Sequence, residues 1–358
     1  MNTGKGNRCR RKSHTSISEK LNKKICKPGL GTLIKTLFCL LPALFSCCKT
    51  DLSKKLMVEE TPLDLKIKSS THAGYLDIFA FNDDMLMQLD SYQRIEEYRN
   101  RSIDIRSQNG DKIIFACANS GKDTYDWAEI NSMDALNAIE VTLDKESRAY
   151  PVMSGWNKAT AGQKESCEIC MTPLRSEIYL RYLRCDFSEN GDSEIRIRNA
   201  KVYLTNVNAQ CSIMSDIITK PKHIINAGGP DYEYMNEMKS PDILMQKIPG
   251  AIGKDRQKVD ISLLCYPNEC KTEGPGTPFT RLVIEGDING QTYWWPININ
   301  RGKSTSEPGI HRNRRYTFDI TIKRKGTADP DQVIEIEDAR IDMEVDTWKE
   351  KDNYAITF

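Results

Sequence analysis

Features that many enzymes need are scarce in this sequence of 358 residues. It has only four histidines, and three of them, His72, His223 and His311, follow residue 46. A histidine-rich metal site or a serine–histidine triad is therefore hard to build. The sequence also lacks the P-loop, GxGxxG, HExxH and GxSxG motifs of nucleotide, dinucleotide, zinc-protease and hydrolase sites. We therefore expect no active site, no enzymatic activity, no cofactor and no metal.

Long apolar segments are missing as well. The apolar run Leu37–Phe45 is too short to span a bilayer, which takes roughly 20 residues. It follows a basic segment and ends in Ser46 and Cys47, a pattern that resembles the lipobox of bacterial lipoprotein precursors. We therefore expect signal cleavage between Ser46 and Cys47 and lipidation of Cys47, with Cys48 as a less usual substitute. A plain secretory signal or an uncleaved anchor helix is the alternative.

Basic residues are concentrated in the leader, residues 1–46. Ten Lys and Arg residues there face a single acidic residue, Glu19. We interpret this segment as the part of an export signal that stays in the cytoplasm, although it is unusually long. The chain without its leader carries 41 basic and 49 acidic residues, a net charge of −8. This acidic balance argues against nucleic acid as a partner.

Twelve cysteines raise the question of a metal or disulfide protein. Three lie in the leader and one is assigned to lipid, which leaves an even number that permits disulfides after export. Cys167 and Cys170 have the CxxC spacing of half a zinc ribbon or a redox motif. A zinc site needs a second pair, and the Cys265–Cys270 spacing is too loose, while a redox CxxC should open a helix. Because residues 165–172 resemble a strand, we expect buried or incidental thiols.

Segments rich in β-branched and aromatic residues alternate with turn residues along the rest of the chain. In residues 316–322, for example, Phe318, Ile320 and Ile322 share one face of a strand. Residues 286–290 predict a hairpin turn between two strands. The same signals predict strands over residues 63–68, 75–81, 103–106, 112–117, 138–143, 166–172, 177–183, 193–198, 201–206, 258–265, 279–286, 291–299, 315–323 and 340–345.

Helical signal is weak. Its best case is Ser132–Ile139, with Ser132 as the N-cap. Many short strands separated by turns favour a β-sandwich architecture, and the chain after the leader is long enough for two domains. We predict a tether over residues 47–62, an N-terminal domain over 63–212 and a C-terminal domain over 213–358, which begins with a long irregular segment over 213–256.

Acidic and aromatic clusters have simpler explanations than binding sites. Asp83–Asp84 and Asp329–Asp331 lack the oxygen-rich spacing of a calcium loop, so turn chemistry explains them. Residues 293–295 are Tyr-Trp-Trp, a combination that stacks on sugars in binding proteins. Neighbours on a strand point to opposite faces, so at least one face of this strand belongs to the core.

Two stretches near the C-terminus resemble the fimbrillin, or type V pilin, superfamily of Bacteroidales. They are residues 281–296, RLVIEGDINGQTYWWP, and residues 308–322, PGIHRNRRYTFDITI. The second continues through residues 325–331 into a final strand that ends at Trp348. Other stretches similar to the superfamily are residues 75–82, 115–119, 153–155 and 202–209. The order of these motifs, together with the lipobox, carries the resemblance, which covers most of residues 47–358.

The resemblance implies an all-β protein with two tandem transthyretin-like β-sandwich domains, minor helix and no catalysis. Members of the superfamily are exported as lipoproteins, reach the cell surface and assemble into fimbriae. The implied partners are other fimbrial subunits, through donor-strand exchange, the outer membrane, through the lipid, and a ligand on a host or bacterial surface. In stalk subunits an Arg-specific protease removes the first strand, and a strand from a neighbouring subunit fills the groove.

The first predicted strand, residues 63–68, is the candidate for this groove-filling role. Its period-two pattern places Leu63, Leu65 and Ile67 on one face and polar residues on the other. We expect the apolar face to complete the N-terminal sandwich, so that loss of the strand exposes a sticky groove.

Arginine is missing between Cys47 and Gln93, and the first one is Arg94. An Arg-specific protease therefore cannot remove the first strand alone. Either another protease acts near Lys66 or Lys68, or the subunit keeps its lipid, as an anchor-like or accessory subunit would. The C-terminal motifs look more like those of accessory or tip subunits, so the anchor and tip positions both stay open.

The expected function is therefore that of a structural subunit of a cell-surface fimbria, in an accessory, tip or anchor-like position, that serves adhesion. The alternative is a surface glycan-binding lipoprotein of a polysaccharide-uptake system, a class that shares the lipobox and the β-sandwiches. That alternative requires Trp156, Trp294 or Trp295 to be exposed on one concave face.

Overall fold

Strands make up most of the regular structure in the computed structural model of this chain. The structure describes residues 60–69, 73–98, 102–121, 125, 127–163, 166–188, 191, 194–214, 218–301, 306–332 and 339–347. The leader, Ser46, Cys47 and most of the predicted tether lie outside these residues. The many strands and few helices confirm the predicted all-β class. Within the described residues, no helix is long and apolar enough to cross a membrane.

Eight strands precede residue 174. They are β1 (Glu60–Ser69), β2 (Tyr75–Asn82), β3 (Leu89–Glu96), β4 (Ser102–Gln108), β5 (Gly110–Ala118), β6 (Glu140–Thr142), β7 (Met153–Ala161) and β8 (Cys167–Pro173). Eleven follow it among the described residues: β9 (Ser176–Cys185), β10 (Arg198–Thr205), β11 (Val207–Asn208), β12 (Gln210–Ser212), β13 (Ile224–Ile225), β14 (Met245–Lys247), β15 (Gln257–Cys265), β16 (Arg281–Ile288), β17 (Gln291–Asn298), β18 (Arg314–Ile322) and β19 (Ala339–Thr347).

Helical elements are short. The two α-helices of the described residues are α1 (Met133–Asn137) and α2 (Tyr232–Glu237), and single 3₁₀ turns lie at Trp127–Glu129, Leu143–Lys145 and Pro241–Ile243. The helix α1 is the one that the sequence predicted. Its N-cap is Ser132, whose hydroxyl accepts a hydrogen bond from the backbone N–H of Ala135.

Seven strands of the N-terminal part form one hydrogen-bonded sheet in the order β3-β2-β5-β7-β8-β1-β4, here called the N-terminal sheet. β7 and β8 are joined by only two residue pairs, Met153 with Pro173 and Ser154 with Thr172. Strands on both sides of this narrow junction contribute to one buried apolar cluster. The sheet is therefore folded over at the junction, so that its two halves, β3-β2-β5-β7 and β8-β1-β4, enclose a core between them.

Two four-stranded sheets, here called the C-terminal sheets, follow residue 175. Their strand orders are β14-β10-β16-β17 and β15-β9-β18-β19. A second buried cluster fills the space between them and includes Leu180 of β9, Ile284 of β16 and Phe318 of β18. The same cluster continues onto the second face of the N-terminal sheet through Phe79 and Phe115. This continuous apolar packing joins the N-terminal sheet to the C-terminal ones.

The pairing of β9 and β10 differs from the predicted division at residue 212. β9 pairs with β15 and β18, and β10 pairs with β14 and β16, so both strands belong to the C-terminal sheets. Sheet membership therefore changes between Pro173 and Ser176 rather than at residue 212. The short pair of β6 and β12 is the exception, because it crosses this point. Strand patterning predicts that a segment pairs, but it carries no information about which distant segment it pairs with.

The predictions of individual turns and strands agree with the structure better than the predicted division into domains. The hairpin between β16 and β17 turns at Asn289 and Gly290, both with positive φ, as a tight hairpin turn requires. Six strands were not predicted. In β3 and β7 polar residues blur the alternation, and β11, β12, β13 and β14 are only two or three residues long. The predicted strand over 193–198 is not formed among its described residues, where β10 starts only at Arg198.

Candidate functional site

The first strand, β1, lies between two neighbours that run in opposite directions. It is antiparallel to β4, with Leu65 opposite Ile103, and parallel to β8, with Ile67 beside Ile169. β1 is therefore an internal strand of its half of the sheet, not an edge strand. Loss of β1 would leave a gap one strand wide between β4 and β8, lined by unpaired backbone groups. We call this gap the β1 groove.

The three apolar side chains of β1 point into the core of the N-terminal sheet. Leu63, Leu65 and Ile67 are 1%, 0% and 4% exposed. They share one cluster with residues of β2, β4, β5 and β8. Burial of each contributes roughly 1.5–3 kcal/mol before conformational entropy is counted. The floor of the β1 groove is therefore apolar and fits alternate side chains of a strand.

The outer face of β1 adds little to its attachment. Asp64 lies directly opposite Asp104 of β4, and like charges in this arrangement destabilise a pair of strands. Lys68 and Glu168 form an ion pair at 2.7 Å, but both side chains are well exposed, and such pairs contribute little. The hold on β1 therefore comes mainly from its backbone ladders and its three core side chains.

The β8 wall of the groove is attached to β7 independently of β1. The amide Nδ2 of Asn157 donates to the backbone oxygen of Glu168 at 2.8 Å. A Cβ atom at Gly155 would lie 2.4 Å from the backbone oxygen of Cys170, so only glycine permits this close approach of β7 to β8. These contacts hold β8 in place from the side that faces away from β1.

The β4 wall is attached to the other half of the sheet by a buried polar cluster around Asp90 of β3. The Asp90 side chain is 2% exposed. Its carboxylate accepts hydrogen bonds from the Ser107 hydroxyl at 2.6 Å and from the Gln108 backbone N–H at 2.8 Å, and it pairs with the Lys112 ammonium at 3.0 Å. β3 and β4 are the two outermost strands of the N-terminal sheet, and no backbone ladder joins them. The Asp90 cluster therefore attaches β4 to β3.

Electrostatics explain why the Asp90 cluster persists when buried. Burial by itself raises the pKa of Asp90, but the hydrogen bonds from Ser107, Lys112 and the Gln108 backbone outweigh it, and the pKa lies below its usual value. A buried charge of this kind is tolerated only with several good hydrogen bonds. Both walls of the β1 groove are thus held by contacts that do not pass through β1.

Arg94, the first arginine after the predicted lipid site, is locked in β3. Its guanidinium forms two hydrogen bonds, at 2.7 and 3.0 Å, with the carboxylate of Asp77, which is fully buried. Tyr92 donates a further hydrogen bond to Asp77 at 2.7 Å. The hydrogen bonds with Asp77 raise the pKa of Arg94 above its ordinary value. A protease that binds an arginine side chain in its own pocket must first break this pair.

The two cysteines of the CxxC spacing lie on opposite faces of β8. Cys167 is buried in the N-terminal core, and Cys170 is exposed on the outer face. Side chains three residues apart on a strand diverge, so one disulfide cannot join this pair. The seven cysteines that the structure describes are all free thiols.

The tryptophans proposed for glycan stacking do not come together. Trp295 is 2% exposed, and Trp294 lies on the other face of β17 and bridges to Thr327. Trp156 is 50% exposed, but it lies on β7 of the N-terminal sheet, beside a small cavity of about 180 Å³. Among the described residues these three do not form one aromatic platform.

The acidic pairs act in turns, as predicted. Asp84 accepts hydrogen bonds from the backbone N–H groups of Leu86 and Met87, and Asp329 accepts one from the N–H of Asp331, each at 2.9 Å. These are side-chain-stabilised turns of the kind that aspartate favours. The structure does not describe Ser46 and Cys47, so cleavage and lipidation there stay predictions.

Comparison with known proteins finds similarity in fold. No family model and no curated protein matches the sequence. The structure is similar to a fimbrilin, FimA, from Porphyromonas gingivalis W83, with a TM-score of 0.60 and 13% identity over 82% of this chain and 99% of that one. It is also similar to the tip fimbrial protein Mfa3 from Porphyromonas gingivalis, with a TM-score of 0.51 and 10% identity over 81% and 100% of the two chains.

A candidate cell adhesion protein from Bacteroides eggerthii gives a TM-score of 0.59 and 14% identity, over 81% of this chain and 96% of that one. These similarities span nearly the full length of the solved chains. At such low identity they establish a shared fold and no more. The shared fold agrees with the all-β class that the fimbrillin resemblance implied.

Proposed function

We propose that this chain is a structural subunit of a cell-surface fimbria, which assembles by β-strand complementation and serves adhesion. The observation that carries the proposal is the placement of β1. It is an internal strand with three alternate apolar side chains in the core, and its neighbours β4 and β8 are fastened without it. The fold shared with a fimbrilin and a tip fimbrial protein supports the proposal.

β-Augmentation is the physical basis of the proposed assembly. A strand that replaces β1 gains backbone hydrogen bonds on both sides, and its alternate side chains fill the apolar floor of the groove. Register and direction are both fixed, since a slip of one residue turns every apolar side chain outward. The partner is therefore a strand of another fimbrial subunit with bulky apolar residues at alternate positions, and where β1 is not cut off this strand enters the groove by displacing β1 while β1 remains part of the chain.

We further propose an anchor-like or accessory position in which β1 stays attached to a lipidated Cys47. No arginine lies between Cys47 and Gln93, and Arg94 is held by a buried carboxylate. Lys66 and Lys68 belong to a strand that is paired on both sides, whereas proteases act on extended, unpaired chain. A tip position and a host or bacterial ligand remain compatible with this proposal.

The division of the fold into two domains is also part of this proposal. The folded N-terminal sheet and the pair of C-terminal sheets are consistent with two transthyretin-like sandwiches in tandem. A location at the outer membrane follows from the predicted lipid. No platform of exposed tryptophans forms among the described residues, so no observation favours the glycan-binding alternative.

Mass spectrometry of the protein from native fimbriae tests the retained strand. We expect an N-terminus at a lipidated Cys47. A mature N-terminus between residues 64 and 75 would show that another protease removes β1, and the anchor-like position would then be wrong.

Deletion of the chain tests the fimbrial role itself. We expect fimbriae of altered number, length or attachment on the deletion strain, seen by electron microscopy. Fimbriae that are unchanged in all three respects would contradict the proposed function. Palmitate labelling of the wild type and of Cys47→Ala separately tests lipidation, which should be lost in the variant.

A further inference from the structure

An apolar loop projects from the turn between β2 and β3. Met85, Leu86 and Met87 are 100%, 69% and 38% exposed. Single exposed apolar residues are common on protein surfaces, but three in succession at a tip are not. We call residues 85–87 the apolar tip.

Hydrogen bonds fix the apolar tip in its exposed position. Asp84 caps the backbone N–H groups of Leu86 and Met87, and the Asn82 N–H donates to the Gln88 oxygen at 3.0 Å and closes the loop. Met87 has φ of 44°, a left-handed conformation that is uncommon outside glycine. These bonds therefore keep the apolar side chains exposed to solvent. Because the loop is already ordered, it loses little conformational entropy on binding.

Both stems of the loop are fastened to the body of the protein. The Asp83 N–H donates to the Asp111 oxygen, and the Met133 N–H donates to the Met87 oxygen, each at 3.0 Å. The Asp83 carboxylate also pairs with Lys158 of β7 at 2.6 Å. The apolar tip is thus a supported projection, which can transmit force to the sheet.

The apolar tip lies at the end of the N-terminal sheet where β1 begins. Glu60, the first residue of β1, pairs with Gln108 at the turn between β4 and β5, and Asn82 at the base of the loop pairs with Lys112 just beyond that turn. β8 leaves the sheet at its opposite end, beside the last residue of β1, and leads into the C-terminal sheets. The predicted lipid at Cys47 therefore joins the sheet at the same end as the tip.

The size and shape of the apolar tip decide what it contacts. A stable protein interface buries about 800 Å² on each partner, far more than three side chains at a convex tip can offer. A lipid surface needs no complementary pocket and accepts a small apolar wedge. The chain from Cys47 to Glu60 can span at most about 45 Å, and it enters the sheet at the end that carries the tip.

We propose that the apolar tip inserts into the lipid surface that holds the acyl chains of Cys47. The inference rests on the proposed lipidation. The acyl chains supply most of the retention, and the tip adds a weaker affinity of its own and fixes which end of the sheet faces the membrane. Asp83, Asp84 and Asp111 surround the loop, with Lys158 as the paired cation. Insertion should therefore favour zwitterionic lipid and weaken on anionic lipid.

Flotation with phosphatidylcholine vesicles tests the tip apart from the acyl chains. The leaderless chain with Cys47→Ala is compared with the same chain carrying Met85→Ser and Leu86→Ser. Met87 is kept, because its left-handed backbone makes substitution ambiguous. We expect the two substitutions to lower the fraction bound at least about tenfold. Tyr232→Ser, a 52% exposed residue of α2, is the matched control and should change nothing.

Equal flotation of the tip variant and its parent would overturn the proposal. If the variant floated equally and yet impaired fimbriae, the tip would be a contact between subunits instead. Stronger binding to vesicles rich in phosphatidylglycerol would also overturn it. A thermal unfolding midpoint equal to the parent's shows that the variant is folded. Palmitate labelling of the wild type reports the proposed lipidation separately, so its failure is distinguished from failure of the tip.

Discussion

β1 and β9 are the first strands of their sheets, and they occupy equivalent positions. Each has one antiparallel neighbour, β4 or β15, and one parallel neighbour, β8 or β18. Each buries alternate apolar side chains. They differ on the outer face, where side chains tie β9 to both neighbours and leave β1 with little beyond its backbone ladders.

The outer face of β9 carries cross-strand polar bonds in both directions. Glu177 pairs with Arg315 of β18 and accepts a hydrogen bond from Ser262 of β15 at 2.6 Å. Arg181 makes two hydrogen bonds with Asp319 of β18, at 2.9 and 3.1 Å. The corresponding face of β1 sets Asp64 against Asp104. Its one outer ion pair, between Lys68 and Glu168, is well exposed. The comparison indicates that a replaceable strand is marked less by its core residues than by weak bonding on its outer face.

The largest expected effect is exchange of β1. A specific protease site inserted at residues 70–72 allows the folded chain to be cut between β1 and β2. A labelled peptide of residues 60–69 in tenfold excess should then replace about 90% of β1 by mass action. The rest of the fold should remain soluble, because β4 and β8 are held independently. Mass spectrometry of the isolated complex measures the replacement.

A peptide with Leu65→Asp is the control for this exchange and should not enter the groove, because it would bury a charge. If β1 stayed bound throughout, or the cut chain aggregated at once, the inference that β1 is more easily replaced than β9 would be wrong.

Arg175→Ala should cause the largest loss of stability. Arg175 directly precedes β9 and is 1% exposed, and its guanidinium pairs with the fully buried Glu146 at 2.9 Å. Its loss leaves an unpaired buried carboxylate, at a cost of about 3–5 kcal/mol in the free energy of unfolding. Urea unfolding measures it. Arg184→Ala, which loses one hydrogen bond to Thr321, should cost less than about 1 kcal/mol, and equal losses would contradict this reading.

Asp90→Asn should weaken the β4 wall by a smaller amount, about 1–3 kcal/mol. The folded-state pKa of Asp90 lies below the ordinary value of 3.8. Its stabilising contribution is therefore complete above that ordinary pKa and is lost as pH falls through the lower folded value. The variant should show a flatter decline of stability in that acidic window than the wild type.

Urea midpoints at a series of pH values test this. Asp83→Asn, which alters an exposed pair, serves as the control. Parallel declines in wild type and Asp90→Asn would show that the cluster contributes nothing to the wall.

The smallest expected effect is a gain. Asp104→Asn removes the like charge opposite Asp64 and should stabilise the pairing of β1 with β4 by about 0.2–0.5 kcal/mol. The exchange of β1 in the cut chain should slow accordingly. Faster exchange would show that Asp104 stabilises β1 through some other contact.

Sequence patterns were sufficient where a single segment determines the outcome. The alternation of Leu63, Leu65 and Ile67 predicted both a strand and its inward face, and Ser132 predicted the start of α1. Asn289 and Gly290 predicted the hairpin turn. In each case the local chain carries all the necessary physics.

The sequence did not predict which strands pair with each other or which charged side chains are buried. Nothing in β9 itself specifies pairing with β18, which lies well over a hundred residues away. Asp90 and Lys112 have the appearance of surface residues in a polar stretch, yet both side chains are 2% exposed because they meet each other. Such a cluster is defined by tertiary contacts between three strands, so single-segment periodicity cannot indicate it.

The parallel ladder between β1 and β8 also has a consequence for the order in which the sheet can form. Lys68 and Glu168, which meet across this ladder, are 100 residues apart in the chain. In the proposed export of this chain, β1 would emerge before its parallel neighbour β8. Contacts of such long sequence separation form slowly and leave apolar strands unpaired in the meantime. The parallel ladder of β9 with β18 joins residues even farther apart, with 138 positions between Arg181 and Asp319, so in both sheets the first strand stays open on one side until a late strand has been made.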